Sequence, residues 1–412
     1  MFDFNDLVGY EGIKEKLKTY ADMIKDPGPY RALGAVVPRG ILLAGPPGVG
    51  KTTLALAFLR ASGARNFIVR KDTERFTEHL RHVFDEAKAG EGAAVILLDD
   101  VDTFGQREEL VFLKSLIDGL EESEVYLIAT ANETKELPAS LLRPGRLGVP
   151  IPVPHPTDRE RAEITRRYLS KRSAELPSLD DLAGMLVGRS FSEIDDILNG
   201  AAILAVRSRT NIAMPHIVSA FLEAHFGLPD GRQKHSERAF LEICYHEAGH
   251  AVVAEAIERG TVGFIACSHF SGEEGSGVAF YSMENPRRSY EILLALAGKA
   301  AAELRFGRLA SGTSADLHKA LRLVSGGIKM SASAGIANSG KCEITDELRA
   351  RQELIASAEA ERMCAVAREI LCDNRTLLDA VASALTERGY LLRSELASII
   401  DAHGLNTAAM PY

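Results

Sequence analysis

The feature that most constrains the fold is a strand, a glycine-rich turn and a helix in unbroken succession. Gly40-Ile41-Leu42-Leu43-Ala44 leads into Gly45-Pro46-Pro47-Gly48-Val49-Gly50-Lys51-Thr52, and Thr53-Leu54-Ala55-Leu56-Ala57-Phe58 follows. The turn carries the full G-x-x-x-x-G-K-T spacing in the strand-to-helix context that a phosphate loop requires. Inward backbone N–H groups and the positive end of the following helix form a cradle for phosphate. Lys51 is expected to reach the β- and γ-phosphates of ATP, and the Thr52 hydroxyl, with Thr53 behind it, to serve the Mg²⁺ side. The alternative is a glycine-rich turn opening a structural helix.

Two further strands belong to the same layer. Ala93-Ala94-Val95-Ile96-Leu97-Leu98 is apolar throughout, as in a parallel sheet covered on both faces, and ends in Asp99-Asp100. Asp99, at the carboxyl end of its strand, is placed to hold Mg²⁺, and Asp100 to position the attacking water. Val125-Tyr126-Leu127-Ile128-Ala129-Thr130 ends at Ala131-Asn132, which puts an amide near the γ-phosphate. Leu141-Leu142-Arg143-Pro144-Gly145-Arg146 then sets two arginines on a rigid turn.

A second chemistry lies in the other half. In His246-Glu247-Ala248-Gly249-His250 the two histidines are spaced i, i+4, so on a helix they share one face and can offer two imidazole nitrogens to one metal. Glu247 stands beside that face, where a general base of a zinc hydrolase belongs. The flanking runs, 240–245 and 251–256, read as the same buried helix. Two histidines leave such a site short of a ligand, because catalytic zinc keeps three protein ligands.

The bulk composition narrows the classes. A chain of 412 residues, 46% hydrophobic and 25% charged, has length for two or three domains with ordinary cores. Its net charge of −9 gives no basic footprint for nucleic acid. Cys244, Cys267, Cys342, Cys364 and Cys372 are odd in number and never spaced C-x-x-C, which fits a reducing compartment. The start, Met1-Phe2-Asp3-Phe4, has no signal-peptide pattern, and no run approaches the ~18–20 apolar residues of a membrane helix. A cytoplasmic protein without a membrane span is expected.

Taken in order, the phosphate loop, the Asp99-Asp100 strand, Ala131-Asn132 and Leu-Leu-Arg-Pro-Gly-Arg resemble the AAA ring ATPases. With the histidine helix after them, the chain resembles the FtsH family of ATP-dependent zinc metalloproteases. The likeness begins at Phe4-Asn5-Asp6-Leu7-Val8-Gly9, which is similar to the family's opening strand and turn. It implies an α/β AAA module, a parallel sheet with flanking helices, at 1–151. A helical lid at 152–228, a linker at 229–234 and a mostly α-helical zinc metalloprotease domain at 235–412 follow. It also implies Asn132 as a sensor, Arg143 and Arg146 as fingers reaching a neighbouring subunit's nucleotide, and therefore a homohexamer acting on polypeptides. Ala310-Ser311-Gly312-Thr313-Ser314-Ala315-Asp316 is similar to the segment that supplies the third zinc ligand, here Asp316; its other reading is an acid favoured by a helix N-terminus. His269 and His318 have no counterpart among the family's ligands.

Strands are expected at 262–267 and 277–281, a region where the resemblance implies a strand that lines the active site and pairs with substrate backbone, with helices at 290–306, 317–329 and 345–372. Ser190-Phe191-Ser192-Glu193 is a capping box opening a helix to about residue 207.

Three departures stand out. Asp100 replaces the family's glutamate and is one methylene short. Glu193-Ile194 replaces a small Gly-Ala pair of the lid. The aromatic pore loop gives way to Val69-Arg70-Lys71-Asp72-Thr73-Glu74-Arg75-Phe76, where Phe76 is the remaining aromatic, and residues 103–112 are also abbreviated. Two other functions fit the same residues: a nucleotide-switched scaffold with slow hydrolysis, and an energy-independent zinc peptidase with a structural ATPase half.

Overall fold

Alternate residues of each buried strand face opposite layers, and the first sheet shows this directly. In a computed structural model, the structure describes residues 3–71, 75–105, 107–121, 123–148, 150–175, 178–227, 233–270, 276–282, 287–307, 314–331 and 346–408. Two compact units divide the chain, 1–168 with 188–196, and 169–187 with 197–412. The segment 152–228 expected as a separate lid is thus shared between them, and the linker positions 229–232 lie outside the described residues.

In the first unit, β1 (Gly40–Ala44), β2 (Arg65–Val69), β3 (Ala94–Leu98), β4 (Val125–Ala131) and β5 (Ile151–Pro152) form one sheet in the order β2-β3-β4-β1-β5. All four pairings are parallel. Ile41, Leu43, Val95, Leu97 and Ile128 join one core with Leu17, Leu54 and Phe58 of the helices Glu11–Lys25 and Lys51–Ser62. Leu42, Ile96, Leu98, Leu127 and Ala129 join the other with Leu80, Phe84 and Leu113 of the helices Phe76–Ala89 and Arg107–Asp118. The period of two in the strands therefore feeds two helical layers. Every strand from β1 to β4 ends at the same edge, where α/β sheets bind ligands.

Residues 4–6 do not form the expected opening strand. They make a 3₁₀ turn, because Asp3 accepts from the Asn5 N–H at 3.1 Å and Asp6 accepts from the Asp3 N–H at 2.9 Å. Short acidic side chains that satisfy nearby backbone donors outcompete extension there.

The second unit is mainly helical. Helices Glu237–Ile257, Arg288–Phe306, Asp346–Asp373 and Arg375–Arg388 share one apolar core. A small antiparallel sheet, β7-β6-β8, lies against it, made of β6 (Val262–Cys267), β7 (Gly277–Tyr281) and β8 (Tyr390–Leu392). The strand β8 is three residues long and too short to show a period in sequence.

Candidate active sites

The loop after β1 and the edges of β3 and β4 converge in the first unit. Lys51 opens its helix, is 6% exposed, and donates to the carbonyls of Gly45 at 2.8 Å and Pro46 at 2.7 Å and to Asn132 Oδ1 at 2.8 Å. Burial lowers its pKa, and Asp100, Asp102 and Asp99 work against that. Val49 is fully buried beneath the loop that runs from Gly45 through Pro46, Pro47, Gly48 and Gly50, and Thr53 follows in the first helical turn. A buried ammonium at a helix N-terminus, satisfied only by neutral acceptors, fits an anionic phosphate.

Asp99 is 6% exposed and has three donors. Its Oδ1 accepts from Thr52 Oγ1 at 2.7 Å and Thr130 Oγ1 at 2.9 Å, and its Oδ2 from Arg70 Nε at 3.0 Å. Thr52 and Asp99, an oxygen pair one hydrogen bond apart, fit a hard divalent cation such as Mg²⁺. Asp100 stands in the left-handed region (φ 54°) and donates its N–H to Thr130 Oγ1 at 2.8 Å. Burial raises its carboxyl pKa, and Asp99 and Asp102 add to the rise. Asp102, absent from the sequence reading, fastens the Asn132 end of β4: its Oδ2 accepts from the N–H groups of Asn132 at 2.8 Å and Glu133 at 3.0 Å.

The two arginines of the downstream turn differ. Arg146 makes a bidentate pair with Asp118 of its own chain, Nε to Oδ1 at 2.6 Å and Nη2 to Oδ2 at 3.1 Å. Arg143 is exposed and makes no ion pair among the described residues. In place of an aromatic grip, Lys71 donates to the Phe104 carbonyl at 2.9 Å and to Glu109 at 2.8 Å, and residues 72–74 lie outside the described residues. Phe76 is 3% exposed and packs edge-to-face on Phe104, with ring centroids 4.7 Å apart. It is a core residue, unavailable to a passing substrate.

In the second unit, Ser236 caps the helix Glu237–Ile257 by accepting from the Ala239 N–H at 3.2 Å, and that helix carries His246, Glu247 and His250. Asp316 comes from the first turn of the helix Ser314–Ser331, and residues 310–313 of its segment lie outside the described residues. His246 Nε2 lies 3.0 Å from His250 Nε2 and 2.9 Å from Asp316 Oδ2, and His250 Nε2 lies 3.3 Å from the same oxygen. These three are the one group of metal-capable side chains found among the described residues. Tetrahedral bonds of ~2.0–2.1 Å space their ligand atoms about 3.3 Å apart, so two imidazoles and a carboxylate of this spacing fit zinc with a fourth position left open. His269 is stacked instead on Phe240, and His318 lies farther along the Asp316 helix.

The surroundings of these groups were not apparent in the sequence. His250 Nδ1 donates to the Leu294 carbonyl at 2.8 Å, which leaves Nε2 as the nitrogen that could ligate a metal. Gly298 lies flat against the His246 ring, where a Cβ would come within 2.4 Å of Cε1. Gly277, at the start of β7, does the same for Glu247, with a would-be Cβ 2.4 Å from Oε1. Burial raises the Glu247 carboxyl above its ordinary range, against the pull of His246 and His250. Asp316 moves the opposite way: burial is outweighed by hydrogen bonds from the two histidines, which hold it far below the usual carboxylate range.

Comparison with known proteins agrees in both halves. The family model "ATPase family associated with various cellular activities (AAA)" matches residues 41–155. An ATP-dependent zinc metalloprotease FtsH 2 of Sphaerobacter thermophilus is 29% identical over 436 residues, covering 96% of this chain and 66% of the relative. An FtsH 1 of Symbiobacterium thermophilum is 28% identical, with 99% of this chain and 73% of the relative covered. An FtsH of Mesomycoplasma conjunctivae is 31% identical over 82% of this chain and 48% of the relative. The chain spans less than two thirds of the length of several relatives it matches. Among the described residues, no helix is long and apolar enough to cross a membrane.

Proposed function

We propose that this chain, which carries an AAA domain and is FtsH-like along nearly its whole length, is an ATP-dependent zinc metalloendopeptidase. The observation that carries the reading is the meeting of His246, His250 and Asp316 ligand atoms within 4.8 Å of one another, with Glu247 buried beside them. Zinc held there would supply Lewis acidity, polarising a scissile carbonyl and making a water easier to deprotonate. Glu247 takes the water's proton and returns it to the departing amine, a role its raised pKa suits. Leu294 and Gly298 hold the two imidazoles in place. The edge strand β7 begins beside Glu247 and among the described residues is paired on one side only, by β6, so its other side can pair with an extended polypeptide backbone whatever the side chains.

The first unit binds Mg²⁺·ATP through Lys51, Thr52 and Asp99, with Asp100 and Asn132 at the attacking water. Arg143, exposed on its turn, is the better placed of the two arginines to reach a neighbouring copy, because Arg146 is occupied by Asp118. Such a reach makes sense in a homohexamer. Zinc content, casein digestion and ATP turnover on one preparation test the reading. Zinc-dependent digestion without ATP turnover would favour the energy-independent peptidase, and turnover without digestion the scaffold.

A further inference from the structure

The stretch that carries no aromatic grip brings a cation to the nucleotide site instead. Arg70 is the first residue beyond β2, the neighbour of β3 in the sheet, and the Asp99 N–H donates to the Val69 carbonyl at 3.0 Å. Its side chain therefore falls at the ligand-binding edge, directly beside Asp99. The Asp99 carboxylate separates two groups: Thr52 and Thr130 on Oδ1, and the Arg70 guanidinium on Oδ2. Arg70 thus stands one carboxylate away from the Thr52 hydroxyl.

We infer that Arg70 is a further phosphate-binding residue acting within its own chain: it pairs with Asp99 and turns to the terminal phosphate of ATP when Mg²⁺ takes that carboxylate. The inference rests on the nucleotide reading of this site and deepens it. Three observations support the exchange. Arg70 is 57% exposed whereas Asp99 is 6% exposed, so the guanidinium is the partner free to move and can leave the carboxylate without crossing the core. A divalent ion ligated by Asp99 withdraws negative charge from the carboxylate that holds the guanidinium and so loosens the pair, and the freed fork of N–H donors matches phosphate geometry. Burial, Asp99 and Asp102 raise the Asp100 carboxyl, and the charge of Arg70 acts against that rise, so the guanidinium is felt electrostatically at the carboxylate assigned to the attacking water. Among the other arginines of this unit, Arg146 is bound to Asp118 and Arg143 lies exposed on its turn.

The test is binding, read by titrating the full chain with a fluorescent non-hydrolysable ATP analogue and with fluorescent ADP at fixed Mg²⁺. Arg70→Gln is expected to weaken the ATP analogue about tenfold and to leave ADP within about twofold, the loss expected for one charge-assisted contact to the terminal phosphate. Arg70→Lys recovers part of that loss. Equal affinities of wild type and Arg70→Gln for both nucleotides would overturn the inference. So would tighter binding of both nucleotides at lower Mg²⁺, which would make Arg70 only a competitor for Asp99. Lys51→Ala is the control for the reading beneath: if it leaves both affinities unchanged, the site is not a nucleotide site at all.

Discussion

Gly298 packs face-on against the His246 imidazole, so closely that a single added methyl carbon would stand 2.4 Å from the ring. The contact joins the helix Arg288–Phe306 to the histidine helix and sets the angle at which His246 meets Asp316. Since the crowded atoms belong to a ring whose Nε2 is held 2.9 Å from Asp316 and 3.0 Å from His250, relief requires moving His246 itself. Gly298→Ala is therefore expected to weaken zinc binding by about 10–100-fold, the range for disturbed support of a ligand. Chelator competition measures it. Unchanged affinity would show that the helices separate at no cost to the site.

The unequal arginines predict unequal phenotypes. Arg143→Ala retains ATP binding and loses most hydrolysis, on the order of 10³-fold for a finger supplied in trans. Mixing it with Lys51→Ala subunits restores part of the turnover, because each supplies what the other lacks. Arg146→Ala acts mainly through the lost Asp118 pair and lowers hydrolysis less. Absence of rescue, with a monomer by sizing in the presence of ATP, would rule out the trans arrangement.

Asp100 combines a short side chain with a left-handed backbone, φ 54° and ψ 54°, a region aspartate tolerates better than glutamate. Asp100→Glu is expected to raise ATP turnover about tenfold by restoring the carboxylate's reach, while costing about 1 kcal/mol of stability through backbone strain. Steady-state turnover and thermal unfolding measure the two effects separately. A turnover unchanged or lowered would mean that the backbone already compensates for the missing methylene.

Substrate handling follows from Phe76. Buried against Phe104, it cannot engage a polypeptide, and no other aromatic stands between Val69 and Phe76. Casein and short peptides should be digested, whereas a tagged fluorescent domain stabilised by ~5–15 kcal/mol should keep its fluorescence with or without ATP. Phe76→Ala should cost about 3–5 kcal/mol of stability, as expected for an emptied core position. ATP-driven loss of fluorescence would show that another residue pulls.

Features with local periodicity were legible in the sequence. The apolar runs of β1, β3 and β4, the helix that puts His246 and His250 one turn apart, and the Ser190–Glu193 cap all follow from spacing within a few residues. What stayed hidden depends on distant partners or on competing local bonds. Leu294, Gly298 and Gly277 support the histidine helix from elements 20 or more residues away, and nothing in their own neighbourhoods marks them. Asp102 looks like an ordinary loop acid until β4 is placed beside it. The Phe4–Asp6 turn arises because acidic side chains cap their own backbone, and Phe76 reads as a loop aromatic until its helix docks on Phe104.

The most direct measurement compares zinc stoichiometry and casein cleavage in wild type, Glu247→Gln and His250→Ala. Wild type should bind one zinc per chain and cleave. Glu247→Gln should keep the zinc and lose cleavage by at least about 10²-fold, because only the proton acceptor is gone. His250→Ala should lose both. Cleavage by Glu247→Gln at the wild-type rate, or by a zinc-free His250→Ala protein, would contradict the assignment of a zinc hydrolase site to His246, His250, Asp316 and Glu247.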